Sequence, residues 1–148
     1  MDRVSKAVRS RNMAAVRSRD TKPEVQIRSL LHRLGFRFRL YDKSLPGKPD
    51  IVLKKYKTVI FVNGCFWHHH ENCRDSRLPK TNKDFWEKKI NSNVERDRRN
   101  KYKLIESGWR VLVIWECEIR RFSENPQDLK ELLIKETIVC AEKKSENY

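Results

Sequence analysis

Three absences bound this sequence of 148 residues. No run of apolar residues approaches the length that spans a bilayer, and Met1-Asp2-Arg3-Val4-Ser5-Lys6 lacks the apolar stretch of a signal peptide. A membrane class is therefore excluded, and the expected location is cytoplasmic and nucleoid-associated. No internal repeat or Gly/Ser linker divides the chain, and its length suits one compact domain. Acids are outnumbered: 20 Asp and Glu face 34 Lys and Arg, for a net charge of +14. That imbalance, with a pI near 9.9, points to a polyanionic partner, and nucleic acid is the first candidate. Only four cysteines are present. In a reducing compartment they are candidates for metal binding or burial before disulfides.

Apolar residues make up 38% of the chain, and they cluster into periodic segments, which excludes a disordered chain. Positive charge concentrates early: residues 1–19 carry six Lys/Arg against the single acid Asp2. Val4 to Arg19 has few large apolar residues and reads as a basic arm that needs a partner to be ordered. Thr21-Lys22-Pro23-Glu24 has the form of a capping box with proline in the first turn. Val25, Ile27, Leu30, Leu31 and Leu34 predict an apolar helical stripe that Gly35 ends. Phe36–Leu40 is expected as a strand, Leu45–Pro49 as a turn, and 50–53 with 58–62 as a hairpin. After a Cys/His-rich loop over 63–80, a charged helix is expected over 84–107. A buried strand over 109–115 and a last helix from Asn125-Pro126 through Ile134 complete the chain. The order α-β-β-β-α-β-α is that of an α/β layer fold with a mixed sheet.

The chemistry concentrates in Asn63-Gly64-Cys65-Phe66-Trp67-His68-His69-His70-Glu71-Asn72-Cys73. Zinc takes four tetrahedral thiolate and imidazole ligands. Cys65, one of the histidines and Cys73 supply three, and Cys117, at the end of the buried strand, is placed to supply the fourth. At least one imidazole is then left over, either for proton transfer or simply solvated. Phe66 and Trp67 read as a wedge that enters between base pairs, or else as packing against the zinc loop. Pro49-Asp50 opens a strand whose hairpin partner ends near Val62. A carboxylate there suits Mg²⁺ and a phosphodiester, although Pro-Asp is also a common turn.

Several stretches, in this order, resemble the very short patch repair endonuclease family, a branch of the restriction-endonuclease-like PD-(D/E)xK fold. They are Arg9-Ser10-Arg11-Asn12-Met13, Ser44 through Asp50, Gly64 through His70, Asn93 through Arg99, and Gly108 through Cys117. The resemblance implies a central mixed sheet flanked by helices, with a structural zinc site. It implies a basic DNA-binding arm over 1–20, an endonuclease domain over 21–140 and a tail over 141–148. The implied activity is nicking of duplex DNA on the T-bearing strand, 5′ of the thymine of a T·G mismatch left by deaminated 5-methylcytosine. By this resemblance Asp50 and the backbone carbonyl of Val62 hold catalytic Mg²⁺, His68 is the acid or base, and Glu24 orients water. Cys65, His70, Cys73 and Cys117 hold Zn²⁺. Phe66, Trp67 and Trp86 form the wedge, Met13 enters from the other groove, and Arg96, Arg98 and Arg99 contact phosphates.

The implied state is a monomer, with mismatch repair proteins as further partners. Three departures from the family stand out. Asn63 replaces a frequent histidine, a longer His70–Cys73 spacing leaves His69 as a rival ligand, and Phe61 and Asn63 occupy the places of the wider fold's second acid and lysine. Two rivals remain: a restriction endonuclease cutting both strands, and a non-catalytic zinc-stapled DNA-binding protein.

Overall fold

A computed structural model describes residues 20–134. The basic arm with Met13, and the chain beyond 134 with Cys140, lie outside the described residues. Helix α1 spans Lys22–Arg33, with Thr21 as N-cap accepting from the Glu24 N–H and a proline in the first turn. Its buried positions are Glu24, Ile27, Leu30 and Leu31. Val25, expected in the stripe, is 47% exposed. Residues 24, 27 and 31 share one face at 3.6 residues per turn, and 25 lies about 100° off it. The buried face thus begins with a carboxylate instead of a valine.

Four strands form a single sheet in the order β1-β2-β3-β4. They are β1 (Arg39–Leu40), β2 (Ile51–Leu53), β3 (Thr58–Asn63) and β4 (Arg110–Trp115). The expected strand over 36–40 shrinks to two residues, and Tyr41 beyond it takes a left-handed φ of 49°, which ends extended pairing. The predicted hairpin forms: β2 pairs antiparallel with β3 from Ile51↔Ile60 to Leu53↔Thr58. It turns through Lys54–Tyr56 and a left-handed Lys57. Helix α2 (Lys83–Glu106) then crosses over, and β4 returns parallel to β3. The sheet is mixed, as expected.

Strand alternation sorts the core onto two faces. Ile51, Leu53, Ile60, Val62, Leu112 and Ile114 pack with Ile27, Leu30 and Leu31 of α1 and with Ile119, Phe122, Leu129 and Leu133. Val52 and Val59 face the other way and meet Leu104 of α2. Each such aliphatic side chain contributes about 1.5–3 kcal/mol when fully buried, so the helices are held to the sheet chiefly by these faces. β4 is not buried on both sides, because only Leu112 and Ile114 are buried along it. A short helix α3 (Ile119–Glu124) precedes the expected last helix, whose described part covers 126–134. Polar residues dominate α3, and its two buried residues, Ile119 and Phe122, are too few to mark it in the sequence. Among the described residues no helix is long and apolar enough to cross a membrane.

Candidate functional site

Strand β3 ends at Asn63, and the chain folds into a tight loop. The His70 N–H donates to the Cys65 carbonyl at 2.9 Å, and the His68 N–H to Gly64 at 3.2 Å. Left-handed residues at His69 (φ 51°) and Asn72 (φ 56°) reverse the chain and bring Cys73 back toward Cys65. From the far end of β4, the turn Glu116–Glu118 delivers Cys117. The donor atoms of Cys65, His70, Cys73 and Cys117 lie within 4.8 Å of one another. His70 approaches Cys117 Sγ through Nδ1 at 3.4 Å, and its ring stacks on Trp115 at 4.3 Å and 9°. His69, the rival, is exposed and stands outside this group.

Three thiols and one imidazole suit a tetrahedral zinc ion. Burial, followed by the neighbouring thiols, pushes Cys65 up to about 12. Burial also raises Cys117. Without a cation Cys65 and Cys117 therefore hold their protons, which a divalent ion would displace on binding.

The second cluster lines a cleft of about 1530 Å³ that includes Glu24, Lys48, Asp50, His68, Asp97 and Lys101. Asp50 stands just before β2, where pairing with β3 has stopped at Ile51↔Ile60. Its Oδ2 accepts the Val62 N–H at 2.8 Å. A strand residue's N–H and C=O project to the same edge, so the Val62 carbonyl opens on the Asp50 side. Burial pushes Asp50 up to about 7; the Val62 N–H opposes this, Glu24 adds to it, and His68 and Arg28 oppose it. Asp50 and Val62 therefore offer the hard oxygen donors that Mg²⁺ takes.

Glu24 is 3% exposed. Its Oε2 accepts from the Asp20 N–H at 3.0 Å, from Arg28 at 3.2 Å and from the Tyr41 hydroxyl at 2.5 Å. Arg28 also donates to the Tyr41 oxygen. Burial and the bond to Glu24 push the Tyr41 phenol up. Across the cleft, His68 Nδ1 meets Asp97 Oδ2 at 2.5 Å.

Phe66, Trp67 and Trp86 pack edge to face with centroids 5.1–5.9 Å apart. Trp86 is buried, while Phe66 and Trp67 are half-buried. Arg96, Arg98 and Arg99 are exposed on α2; Arg96 and Arg98 line the cleft, whereas Arg99 is not part of its wall. Asn63 is buried beside the Val62 site. Residues without a role assigned from the sequence also join the site: Asp97 on His68, Tyr41 and Arg28 on Glu24, Trp115 on His70, and Asn93, whose amide donates to the Trp67 carbonyl at 3.0 Å. The matched stretch Asn93–Arg99 held a signal for two of them, since its arginines share it with a buried amide and an acid.

The chain has relatives among known proteins. The family model of DNA mismatch endonuclease Vsr matches residues 1–74. The chain is 53% identical over 115 residues to DNA mismatch endonuclease Vsr of Escherichia coli (strain K12), covering 78% of this chain and 73% of that protein. It is 51% identical over 118 residues to type II nicking enzyme V.XorIIP of Xanthomonas oryzae pv. oryzae, covering 80% and 86%. Among solved structures, the catalytic domain of homing endonuclease I-Bth0305I superposes with a TM-score of 0.54 at 22% identity, covering 78% of this chain and 97% of that domain. That likeness gives the fold, a mixed sheet with flanking helices. On the family match and these identities, the chain belongs to the DNA mismatch endonuclease Vsr family.

Proposed function

We propose that this protein is a Mg²⁺-dependent, zinc-stapled DNA endonuclease. It nicks the T-bearing strand of a T·G mismatched duplex 5′ of the thymine, so starting very short patch repair of deaminated 5-methylcytosine. The observation that carries this reading is the placement of Asp50, Glu24 and His68 around one cleft, with the Phe66–Trp67–Trp86 cluster on the loop that bears His68. Family membership supports endonuclease chemistry on DNA, and relatives named nicking enzymes favour cleavage of one strand.

In this reading Cys65, His70, Cys73 and Cys117 bind Zn²⁺, which ties the wedge loop to the end of β4. Asp50 and the Val62 carbonyl hold Mg²⁺, which supplies Lewis-acid stabilisation of the phosphate when bound. Glu24, fixed on Oε2 by Asp20, Arg28 and Tyr41, orients water. His68 acts as acid or base, giving a proton to the departing 3′ oxygen or taking one from the attacking water. Phe66, Trp67 and Trp86 enter the stack where a mismatch makes unstacking cheapest, and Met13 of the arm approaches from the other groove. Arg96, Arg98, Arg99 and the basic arm neutralise phosphates, which makes binding salt-sensitive. The enzyme acts as a monomer and hands its product to repair proteins.

The test is a gel assay with Mg²⁺ on matched and T·G duplexes labelled on either strand. A nick confined to the T strand of the T·G duplex, leaving a 3′-hydroxyl and a 5′-phosphate, is expected. Cleavage of both strands of the matched duplex indicates a restriction endonuclease instead. Binding without metal-dependent cleavage indicates a DNA-binding protein.

A further inference from the structure

Glu24 has a setting that helix capping does not explain. In a capping box the carboxylate at this position bonds back to the N-cap N–H. Thr21 is the N-cap and accepts from the Glu24 N–H, but the Glu24 carboxylate accepts from the Asp20 N–H, one residue further back, at 3.0 Å. The described bonds to that carboxylate all run to one oxygen. Besides Asp20, Oε2 takes Arg28 at 3.2 Å and the Tyr41 hydroxyl at 2.5 Å.

Tyr41 follows the two-residue strand β1, and both it and Asp20 have left-handed backbone, with φ of 49° and 56°. A bulky residue is rare in that region, and such backbone persists where its surroundings over-determine it. The phenol oxygen accepts from the Asp20 N–H at 2.6 Å and from Arg28. Its one proton has two acceptors in reach, Glu24 Oε2 at 2.5 Å and Asp20 Oδ1 at 3.0 Å, and the shorter distance favours Glu24. Burial, followed by the bond to Glu24, raises the phenol, so the proton stays in place to be donated. Arg28, four residues on along α1, supplies the charge. Its Nη2 lies 3.2 Å from Glu24 Oε2 and 2.9 Å from Asp20 Oδ1. Burying a carboxylate to 3% exposure is costly without such a cation.

We propose that Arg28 and Tyr41 are positioning residues for the cleavage step: they clamp Glu24 by Oε2 and so leave Oε1 to hold water in the cleft that Glu24 shares with Asp50. The inference rests on the reading of Glu24 as the residue that orients water, and adds what aims it. A glutamate side chain has three torsions to fix. Without the clamp Glu24 swings back to cap the Thr21 N–H, which serves the helix equally well and leaves the water unheld.

The experiment uses zinc-loaded full-length protein and single-turnover nicking of a T·G duplex with Mg²⁺. Tyr41→Phe removes the hydroxyl and keeps the ring, while Arg28→Lys keeps the charge and loses the planar fork. Each is expected to slow nicking at saturating protein by about tenfold, with affinity for the T·G duplex and zinc content kept. The decisive arm is the cycle with Glu24→Ala. If the clamp acts only through Glu24, either substitution costs less than about twofold in the Glu24→Ala background. Slowing that multiplies in the double variants means a role elsewhere in the fold, and overturns the inference while leaving Glu24 its role. Wild-type nicking by either single variant has the same meaning, as does slowing that comes with lost zinc or lost duplex affinity. Full nicking by Glu24→Ala itself overturns both the inference and the reading of Glu24.

Discussion

The loop that follows β3 lies between two chemically opposite sites. At one end Cys65, His70, Cys73 and Cys117 gather sulfur and nitrogen within 4.8 Å. At the other, Asp50, Glu24 and Asp97 bring oxygen to a wide cleft. The first set suits a cation that stays, since thiolate and imidazole close a tetrahedron around zinc. At the second, Asp50 and the Val62 carbonyl would suit a cation that keeps open positions for water and phosphate. In the proposed reading, zinc at the soft cluster would hold the loop, and the held loop would carry His68 and the aromatic residues to the cleft. The proposed division of labour is between what maintains the fold and what acts on DNA.

The largest break in that comparison is at Cys117. Cys117→Ser should lose most bound zinc and much of the folded population, because structural zinc contributes about 10 kcal/mol or more of folding free energy at neutral pH. Cys140→Ser should match wild type in both respects, because Cys140 lies 23 positions further along the chain than Cys117. Elemental analysis and thermal melts check this, and equal zinc loss in the two variants contradicts the ligand set.

A smaller effect, of opposite sign, is expected at the oxygen end. Asp50, raised to about 7 by burial, is neutral in the folded, magnesium-free protein at pH 4 and charged at pH 8. A raised folded pKa means that stability present below the unfolded value near 4 is lost as pH rises through 7. Asp50→Asn removes that loss. It should stabilise zinc-loaded, magnesium-free protein at pH 8 by about 2–4 kcal/mol and match wild type near pH 4. Denaturant unfolding at the two pH values reads this, and an Asn variant less stable at pH 8 contradicts it.

The smallest effect concerns recognition. Phe66→Ala or Trp67→Ala should narrow the ratio of T·G to matched binding by about tenfold, since base stacking on an aromatic contributes about 1–3 kcal/mol. Unchanged ratios in both variants return these rings to packing around the zinc loop.

The two ends also differ in how far the sequence reveals them. Three of the four soft ligands fall within nine residues, and the fourth follows a strand whose apolar run is plain, so spacing and chemistry together point to them. The choice of His70 over His69 needed the loop's geometry, because left-handed backbone at His69 turns on local folding and not on residue type. The cleft is assembled from α1, the start of β2, the loop and α2, which places Glu24 and Asp97 at a sequence distance of 73. Glu24 is legible as a cap but not as a buried carboxylate beside Asp50. Asp97 stands in a run of exposed charges, and only its place on the stripe of Trp86, Ile90 and Asn93 separates it from Arg96 and Arg98. The strand at 36–40 is overread from its apolar residues, since Phe36 and Phe38 pack against the core without pairing in the sheet.

The separation of the two ends is tested most directly by one variant, Asp50→Ala, assayed for zinc content, T·G duplex binding and Mg²⁺-dependent nicking in a single preparation. Full zinc and retained binding with no detectable nicking are predicted, because the proposed function draws affinity from the arm and α2 and gives Asp50 the chemistry. Removing one carboxylate near phosphate should, if anything, tighten binding slightly. Wild-type nicking by Asp50→Ala contradicts the assignment of the cleft outright.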